Sequence, residues 1–185
     1  MDPETTHTEK PLLYLDVDGV LSLFGFASAD QAPGPLTRID GAVHCLLPDA
    51  GRHLTELAEW FDLVWATGWE NLANEHLPAL LDLPFAELPT LTFDGRAVFG
   101  SSHWKLDAIT AHSGHRPAAW VDDNIDDACR LWALSREAPT LLVETLPSVG
   151  LTGSHVERLC DWGCSEAIVP ATRHADRSSG RTRAA

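Results

Sequence analysis

The chain has 185 residues, enough for one domain with a hydrophobic core, and its 44% hydrophobic and 22% charged residues are ordinary for a globular protein. A formal net charge of −14 argues against tight, non-specific nucleic-acid binding, because an acidic surface repels polyanions at long range. The polar first ten residues argue against a secretory signal, and no apolar run is long enough to span a membrane. We therefore expect no membrane partner. The four cysteines lack the spacing of a disulfide framework, so we expect a cytoplasmic protein with reduced thiols.

Short apolar segments alternate with helical patterns along the chain. The first of them, Leu12 to Val17, is continuously apolar, which is typical of a parallel strand covered on both faces. Further strands are predicted at 62–66, 118–121 and 140–143, and helices at 48–61, 70–81, 103–112, 125–136 and 153–162. This alternation predicts an α/β fold, a Rossmann-like three-layer sandwich with a central, mostly parallel sheet and helices on both faces.

Two segments interrupt the alternation. Residues 21–46 are rich in glycine and proline and are predicted to form a loop or small hairpin, and residues 83–100 a loop with a short strand. We expect residues 1–10 to be a flexible N-terminus and residues 11–170 to be one domain. Residues 171–185 are rich in arginine, serine and alanine without apolar periodicity, and are predicted to be a disordered basic tail.

Acidic and polar side chains follow the predicted strands at the point where each strand ends. The carboxyl ends of parallel strands meet at one edge of a sheet, where open α/β folds place their ligands. The residues concerned are Asp16 and Asp18 before Gly19, Thr67 and Gly68, Lys105 in a nearby helix, and Asp122 and Asp123. Carboxylates gathered at one buried edge need compensation, which a divalent cation with a phosphate supplies.

Each of these residues also has an ordinary structural explanation. An isolated Asp-x-Asp at a strand end often closes a turn, and Asp122 to Asn124 could cap the following helix. Thr67 could be a strand-end hydroxyl and Lys105 a solvated helical residue. These explanations do not account for the joint occurrence of all four features at one edge, which favours a functional site.

The segment Asp-Val-Asp-Gly-Val, followed in order by a threonine, a lysine and an acid pair, resembles the haloacid dehalogenase (HAD) superfamily of phosphohydrolases. The resemblance implies a Mg²⁺-dependent hydrolase of phosphomonoesters that works through an aspartyl-phosphate. By the same resemblance, Asp16 is the nucleophile. Asp18 protonates the leaving oxygen and then activates water. Since Asp18 suits a leaving ester oxygen, it favours a phosphatase over a dehalogenase.

The resemblance also assigns the remaining site residues. Asp16, the backbone carbonyl of Asp18 and Asp122 would bind the metal ion, while Asp123 would support its water shell, with Asp127 as a further candidate. Mn²⁺ would accept the same oxygen ligands as Mg²⁺. The phosphate would be held by Thr67, the amide of Gly68 and Lys105, and Lys105 would also offset the charge of the acids.

The stretches where the superfamily inserts a cap domain are short in this chain, so we expect a HAD-like domain without a cap. Its partner would be a phosphorylated small molecule or the exposed phosphorylated end of a macromolecule. The segment Trp-Ala-Thr-Gly-Trp-Glu resembles HAD domains associated with bacterial RNA-repair proteins. Trp69 and Trp104 could stack a base at the rim of the site or cover the core beneath it.

Two alternatives to a general phosphatase stay open on the sequence. One is a nucleic-acid end-processing phosphatase or phosphotransferase with the same centre. The other is a metal-retaining module that binds a phosphorylated ligand with little turnover, which the complete set of acids disfavours.

Overall fold

The structure, a computed structural model, describes residues 9–93 and 103–167. The strands are β1 (Leu12–Leu15), β2 (Ser22–Leu23), β3 (Leu36–Ile39), β4 (Ala42–Leu46), β5 (Asp62–Trp65), β6 (Ala118–Asp122) and β7 (Thr140–Glu144). The α-helices are α1 (Ala50–Leu57), α2 (Leu72–Leu80), α3 (Leu106–Ser113), α4 (Asp127–Ser135) and α5 (Gly153–Ala167). Short 3-10 turns lie at Ala29–Gln31 and His103–Lys105.

The central sheet contains four parallel strands in the order β5-β1-β6-β7. In its register, Leu15 lies opposite Trp65 on one side and Val121 on the other. The three strands that precede the predicted site residues are therefore neighbours, and they end at the same edge. Thr90 adds an isolated parallel bridge to Trp65, which is the strand pairing found in residues 83–93 of the segment where a short strand is predicted; residues 94–100 lie outside the described residues.

Alternate residues of the buried strands face two separate cores. Leu13 and Leu15 belong to one core, which includes buried residues of α1, α2 and α5, whereas Leu12 and Tyr14 belong to the other, which includes residues of α3 and α4. Burial on both faces explains why β1 is continuously apolar. The predicted three-layer α/β sandwich is confirmed.

Residues 21–46 form more than a loop: they build a small antiparallel sheet in the order β2-β4-β3. Asp40 and Gly41, both at positive φ (46° and 85°), make the tight turn between β3 and β4, as the twist of a two-residue hairpin requires. The sheet joins the end of β1 through the bridge between Asp18 and Ser22. The stretch between Asp18 and α1, the first of the two stretches where a cap domain would be inserted, therefore holds a small three-stranded sheet and not a domain, in agreement with the prediction of no cap there.

Several helix boundaries differ from the predicted ones. Helix α1 ends at Leu57 and not near residue 61, and α2 begins at Leu72 because residues 67–70 form a turn. Helix α5 continues to Ala167, five residues beyond the predicted end. Helix ends depend on local capping and packing, which hydrophobic periodicity does not encode.

The predictions for residues 1–8 and for the basic tail 171–185 lie outside the described residues. None of the helices in the described ranges is both long enough and apolar enough to cross a bilayer. All four cysteines are free thiols; Cys45 and Cys129 are buried, and Cys160 and Cys164 are half-buried.

Candidate active site

Asp16 lies at the carboxyl edge of the sheet, directly after β1, and is nearly buried. Its backbone N–H donates to the carbonyl of Val121 over 3.1 Å, which continues the β1–β6 pairing by one residue. Its own Oδ1 accepts from the N–H of Val17 at 2.7 Å. The backbone on both sides therefore fixes the carboxylate in one orientation.

Lys105 connects the two strand ends that carry the acids. Its Nζ lies 2.8 Å from Asp16 Oδ2 and 2.6 Å from Asp122 Oδ2, and both the lysine and Asp122 are buried. The ring of Trp104 lies 5.2 Å from Nζ and packs edge-on against Phe93. Trp104 thus covers the core beside Lys105, as one of its two sequence interpretations predicted.

Burial shifts the pKa values of Lys105 and of the acids around it. Desolvation raises the pKa of Asp16 to about 7, against the attraction of Lys105. The pKa of Lys105 is raised as well: burial disfavours its charge, but the two carboxylates together outweigh burial. Burial, reinforced by the charge of Asp122, raises the pKa of Asp123 to about 6. One ammonium group is thus insufficient to compensate all the carboxylates of the site.

Asp122 ends β6, Asp123 follows it, and Gly19 packs directly against Asp123. Asp122 Oδ1 accepts from the N–H of Asn124 at 2.9 Å. Gly19 has a φ of +73°, and a Cβ atom there would lie 2.4 Å from Cγ of Asp123. Only a residue without a side chain fits this contact, which explains the glycine that follows the Asp-x-Asp pair.

Asp16, Asp122 and Asp123 can each offer an oxygen such that the three atoms lie within 4.8 Å of one another. Across residues 9–93 and 103–167, no other group of three acidic, histidine or cysteine side chains is close enough to hold an ion. Hard carboxylate oxygens suit Mg²⁺. The fourth metal candidate, Asp18, would use its backbone carbonyl, and its carboxylate is not part of this cluster. Asp127 is exposed in the first turn of α4 and is not part of it either.

Thr67 and Gly68 form a turn after β5, beside the end of β1. Thr67 is buried; its Oγ1 accepts from the N–H of Trp69 at 3.3 Å and its carbonyl from the N–H of Glu70 at 3.0 Å. Gly68 is exposed, and a Cβ atom there would meet nothing within 4 Å. Glu70 adopts a positive φ of 47°, and its side chain accepts from the N–H of Phe93, which holds the turn in place.

Asp18 differs from Asp16 in being exposed. Its Oδ2 accepts a hydrogen bond from Nε1 of Trp69 at 2.9 Å. Trp69 therefore connects Asp18 to the turn that carries Thr67 and Gly68.

Sequence reasoning missed two residues at this edge. Thr145, directly after β7, donates from Oγ1 to the carbonyl of Gly19 at 2.8 Å and from its N–H to the carbonyl of Asp122. A polar residue at a fourth strand end was the available signal. His44 of β4 packs edge-on against Trp69, with ring centroids 4.7 Å apart. No sequence signal marked His44, because it comes from the small sheet and not from a strand of the central one.

The sequence model of one protein family, described as the HAD domain in Swiss Army Knife RNA repair proteins, matches residues 12–156. Among solved structures, the chain is similar to the HAD domain of the effector protein Lem4 from Legionella pneumophila, with a TM-score of 0.57 and 13% identity. That match covers 86% of this chain and 98% of the Lem4 domain, and at such identity it shows a shared fold. No curated protein sequence matches the chain.

Proposed function

Since the chain belongs to the family of HAD domains in Swiss Army Knife RNA repair proteins, we propose that it hydrolyses phosphomonoesters through an aspartyl-phosphate on Asp16. The observation that carries the proposal is the pair of contacts from Lys105 to Asp16 and Asp122 at the buried sheet edge. A lysine so placed holds a carboxylate ready for attack and adds positive charge where a phosphoryl group would enter.

The donor set fits Mg²⁺. Asp16, the carbonyl of Asp18 and Asp122 would bind the ion, with Asp123 supporting its waters. The raised pKa values of Asp16 and Asp123 support this assignment, because they reveal carboxylates whose charge Lys105 does not fully compensate. When bound, the ion supplies positive charge that keeps the carboxylates ionised and attracts phosphate oxygens.

The reaction would proceed in two displacements. In the first, an oxygen of Asp16 bonds to phosphorus, the ester P–O bond breaks, and Asp18 gives its proton to the leaving oxygen. In the second, Asp18 takes a proton from water as the water oxygen bonds to phosphorus. The bond from phosphorus to Asp16 then breaks and inorganic phosphate leaves. Thr67, the amide of Gly68 and Lys105 would hold the phosphate oxygens throughout.

The first test is the release of inorganic phosphate from 4-nitrophenyl phosphate, with Mg²⁺ and with EDTA. We expect Mg²⁺-dependent turnover that falls roughly 10⁴-fold or more in Asp16→Asn, as for the loss of a covalent nucleophile. Asp62→Asn is the matched control, since Asp62 is exposed at the opposite end of β5 and should leave the rate unchanged. A wild-type rate in Asp16→Asn would refute the assignment of Asp16 as the nucleophile.

An RNA end is the second candidate substrate, and the description of the family favours it. The exposure of Asp18 and Gly68 is compatible with a phosphate carried by a large molecule. The same comparison should therefore be made with 3′- and 5′-phosphorylated oligoribonucleotides. Phosphate release from none of these compounds would contradict the proposed hydrolase.

We also propose that the protein acts in the cytoplasm, where its free thiols stay reduced.

A further inference from the structure

The indole of Trp69 holds the exposed carboxylate of Asp18 through a hydrogen bond of 2.9 Å from Nε1 to Oδ2. We propose that Trp69 is a positioning residue, which orients Asp18 so that its other oxygen, Oδ1, exchanges the proton with the leaving group and with water. This inference rests on the proposed phosphohydrolase. It concerns a residue outside the acid, threonine and lysine positions to which the function was assigned.

The chemistry of the indole decides which carboxylate oxygen is used. An indole N–H is a donor only and has no acceptor lone pair to offer. Oδ2 of Asp18 therefore acts as the acceptor in this contact, whether the carboxyl group is protonated or ionised. The exchangeable proton is left to Oδ1, and the carboxyl group cannot rotate freely about its Cβ–Cγ bond while the contact persists.

Trp69 itself is held from two sides. Its backbone N–H donates to Oγ1 of Thr67, so the tryptophan belongs to the turn that would bind the phosphate. Its ring meets the ring of His44 edge-on, at an interplanar angle of 67°. His44 Nδ1 in turn lies 2.9 Å from Oγ of Ser22 at the start of the small sheet.

This chain of contacts links three elements that the sequence separates widely. The turn after β5, the strand β4 and the segment after β1 meet at one indole ring. Positioning within about 1 Å matters strongly to proton transfer. The small sheet therefore has a defined part in the proposed reaction: it supports the side chain that orients the acid.

The dependence on the leaving group separates positioning of the acid from a merely structural role. Phenol has a pKa of about 10, like the tyrosine side chain, so it needs a proton to leave well. The 4-nitrophenolate anion is stabilised by its nitro group and leaves without one. In Trp69→Phe, which keeps an aromatic ring beside His44, we expect kcat/KM for phenyl phosphate, which reports the steps up to departure of the leaving group, to fall about tenfold or more, within the contribution of general acid catalysis. For 4-nitrophenyl phosphate kcat/KM should change less than about twofold. The comparison uses kcat/KM because kcat also includes the activation of water by Asp18, which is the same for both substrates.

Trp132→Phe is the matched control. Trp132 is half-buried and also donates an indole hydrogen bond, to Oγ1 of Thr110 at 2.8 Å, but it lies on α4 away from Asp18. It should leave both rates unchanged. In an Asp18→Asn background, Trp69→Phe should have no further effect on phenyl phosphate, because two residues that act through one group are not additive. An equal loss of kcat/KM on both substrates would overturn the inference.

A measurement without turnover tests the contact itself. The indole N–H resonance of Trp69, identified by its loss in Trp69→Phe, should move in the ¹H–¹⁵N spectrum of Asp18→Asn, while the Trp132 resonance should not. An unmoved Trp69 resonance overturns the inference whatever the activity. A moved resonance in a protein that hydrolyses none of the phosphates would instead locate the failure in the proposed hydrolase, and the proton-transfer role would fall with it.

Discussion

Lys105 is the residue on which the site depends most directly. It is the one cation that contacts both Asp16 and Asp122 in the described ranges, and all three side chains are largely removed from water. A buried ion pair is not in itself a large source of stability, but the loss of one partner leaves the other charge buried and uncompensated. The position is therefore constrained by folding as well as by the proposed chemistry.

We expect Lys105→Met to lower the free energy of unfolding by about 3–5 kcal/mol in EDTA, measured by urea denaturation. Added Mg²⁺ should recover part of this loss, because a cation among the same carboxylates replaces the missing charge. Arg52→Met is the control: its ion pairs with Asp49 and Glu56 are exposed, at 3.7 and 3.8 Å, and should contribute little. A variant at position 105 as stable as the wild type would contradict this account.

The raised pKa values of Asp16 and Asp123 predict an unusual pH dependence for the metal-free protein. Between about pH 4 and pH 6 to 7 the folded state keeps protons that the unfolded state has released, so these groups make stability fall as pH rises. Asp123→Asn removes one of these contributions. In EDTA, the free energy of unfolding of the variant relative to the wild type should therefore increase from pH 4 to pH 7. A constant difference across this range would show that the Asp123 carboxyl titrates normally.

At the scale of elements, the site is assembled from the ends of neighbouring parallel strands and the turns that follow them. The segment after β1 is closely packed: Gly19 touches Asp123, the residue after β6, and Thr145 after β7 donates to the carbonyl of Gly19. These contacts lock three strand ends together.

Gly19→Ala should consequently damage both stability and activity. Its Cβ would lie 2.4 Å from Cγ of Asp123, at a φ of +73° that alanine adopts only with strain, so we expect a loss of roughly 2 kcal/mol or more. The matched variant is Gly153→Ala at the start of α5, where an added Cβ meets nothing within 4 Å. Thermal unfolding of both, with phosphate release from 4-nitrophenyl phosphate, tests the comparison; equal stability of the two would contradict the packing described here.

The success of sequence reasoning also differs by element. The parallel strands were predictable, because burial on both faces leaves a continuous apolar run such as Leu12 to Leu15, and the strand ends then located Asp16 and Asp122. Lys105 was predictable only because a lysine follows the Asp-x-Asp pair and the threonine, and precedes the acid pair, in the order that resembles the HAD superfamily. The contacts of His44 and Trp69 were not predictable, because they arise where the small antiparallel sheet meets the central one. Neither the period of a strand nor that of a helix reports such a contact.

At the scale of the whole molecule, net charge and architecture set the conditions for substrate access. The chain carries a formal charge of −14, and the stretch between Asp18 and α1 holds the small sheet and a short 3-10 turn and not a domain. An open site would admit a large phosphorylated molecule, while the overall field would repel a polyanion. Affinity for a nucleic-acid end would then have to come from the site itself and not from the surrounding surface.

The negative charge of the protein predicts that its activity on a nucleic-acid end rises with salt concentration. For a 3′-phosphorylated oligoribonucleotide, kcat/KM should rise as salt increases from about 0.01 M to about 0.15 M, since the Debye length shortens from about 30 Å to about 8 Å and repulsion is screened. Proteins that bind the nucleic-acid backbone through a basic surface show the opposite trend. Phenyl phosphate, which carries far less charge, should show a smaller change. A steep fall of kcat/KM with salt would reveal a basic binding surface and contradict this prediction.

The central claim, a covalent intermediate on Asp16, has one direct measurement. In Asp18→Asn the leaving 4-nitrophenolate needs no acid, but water is no longer activated, so the phosphorylated enzyme should accumulate. With Mg²⁺ and 4-nitrophenyl phosphate, we expect a burst of about one nitrophenolate per enzyme, and mass spectrometry of the acid-quenched protein should find the phosphoryl group on Asp16. Release of nitrophenolate with no phosphoryl group on Asp16 would mean that water attacks phosphorus directly, and would contradict the account.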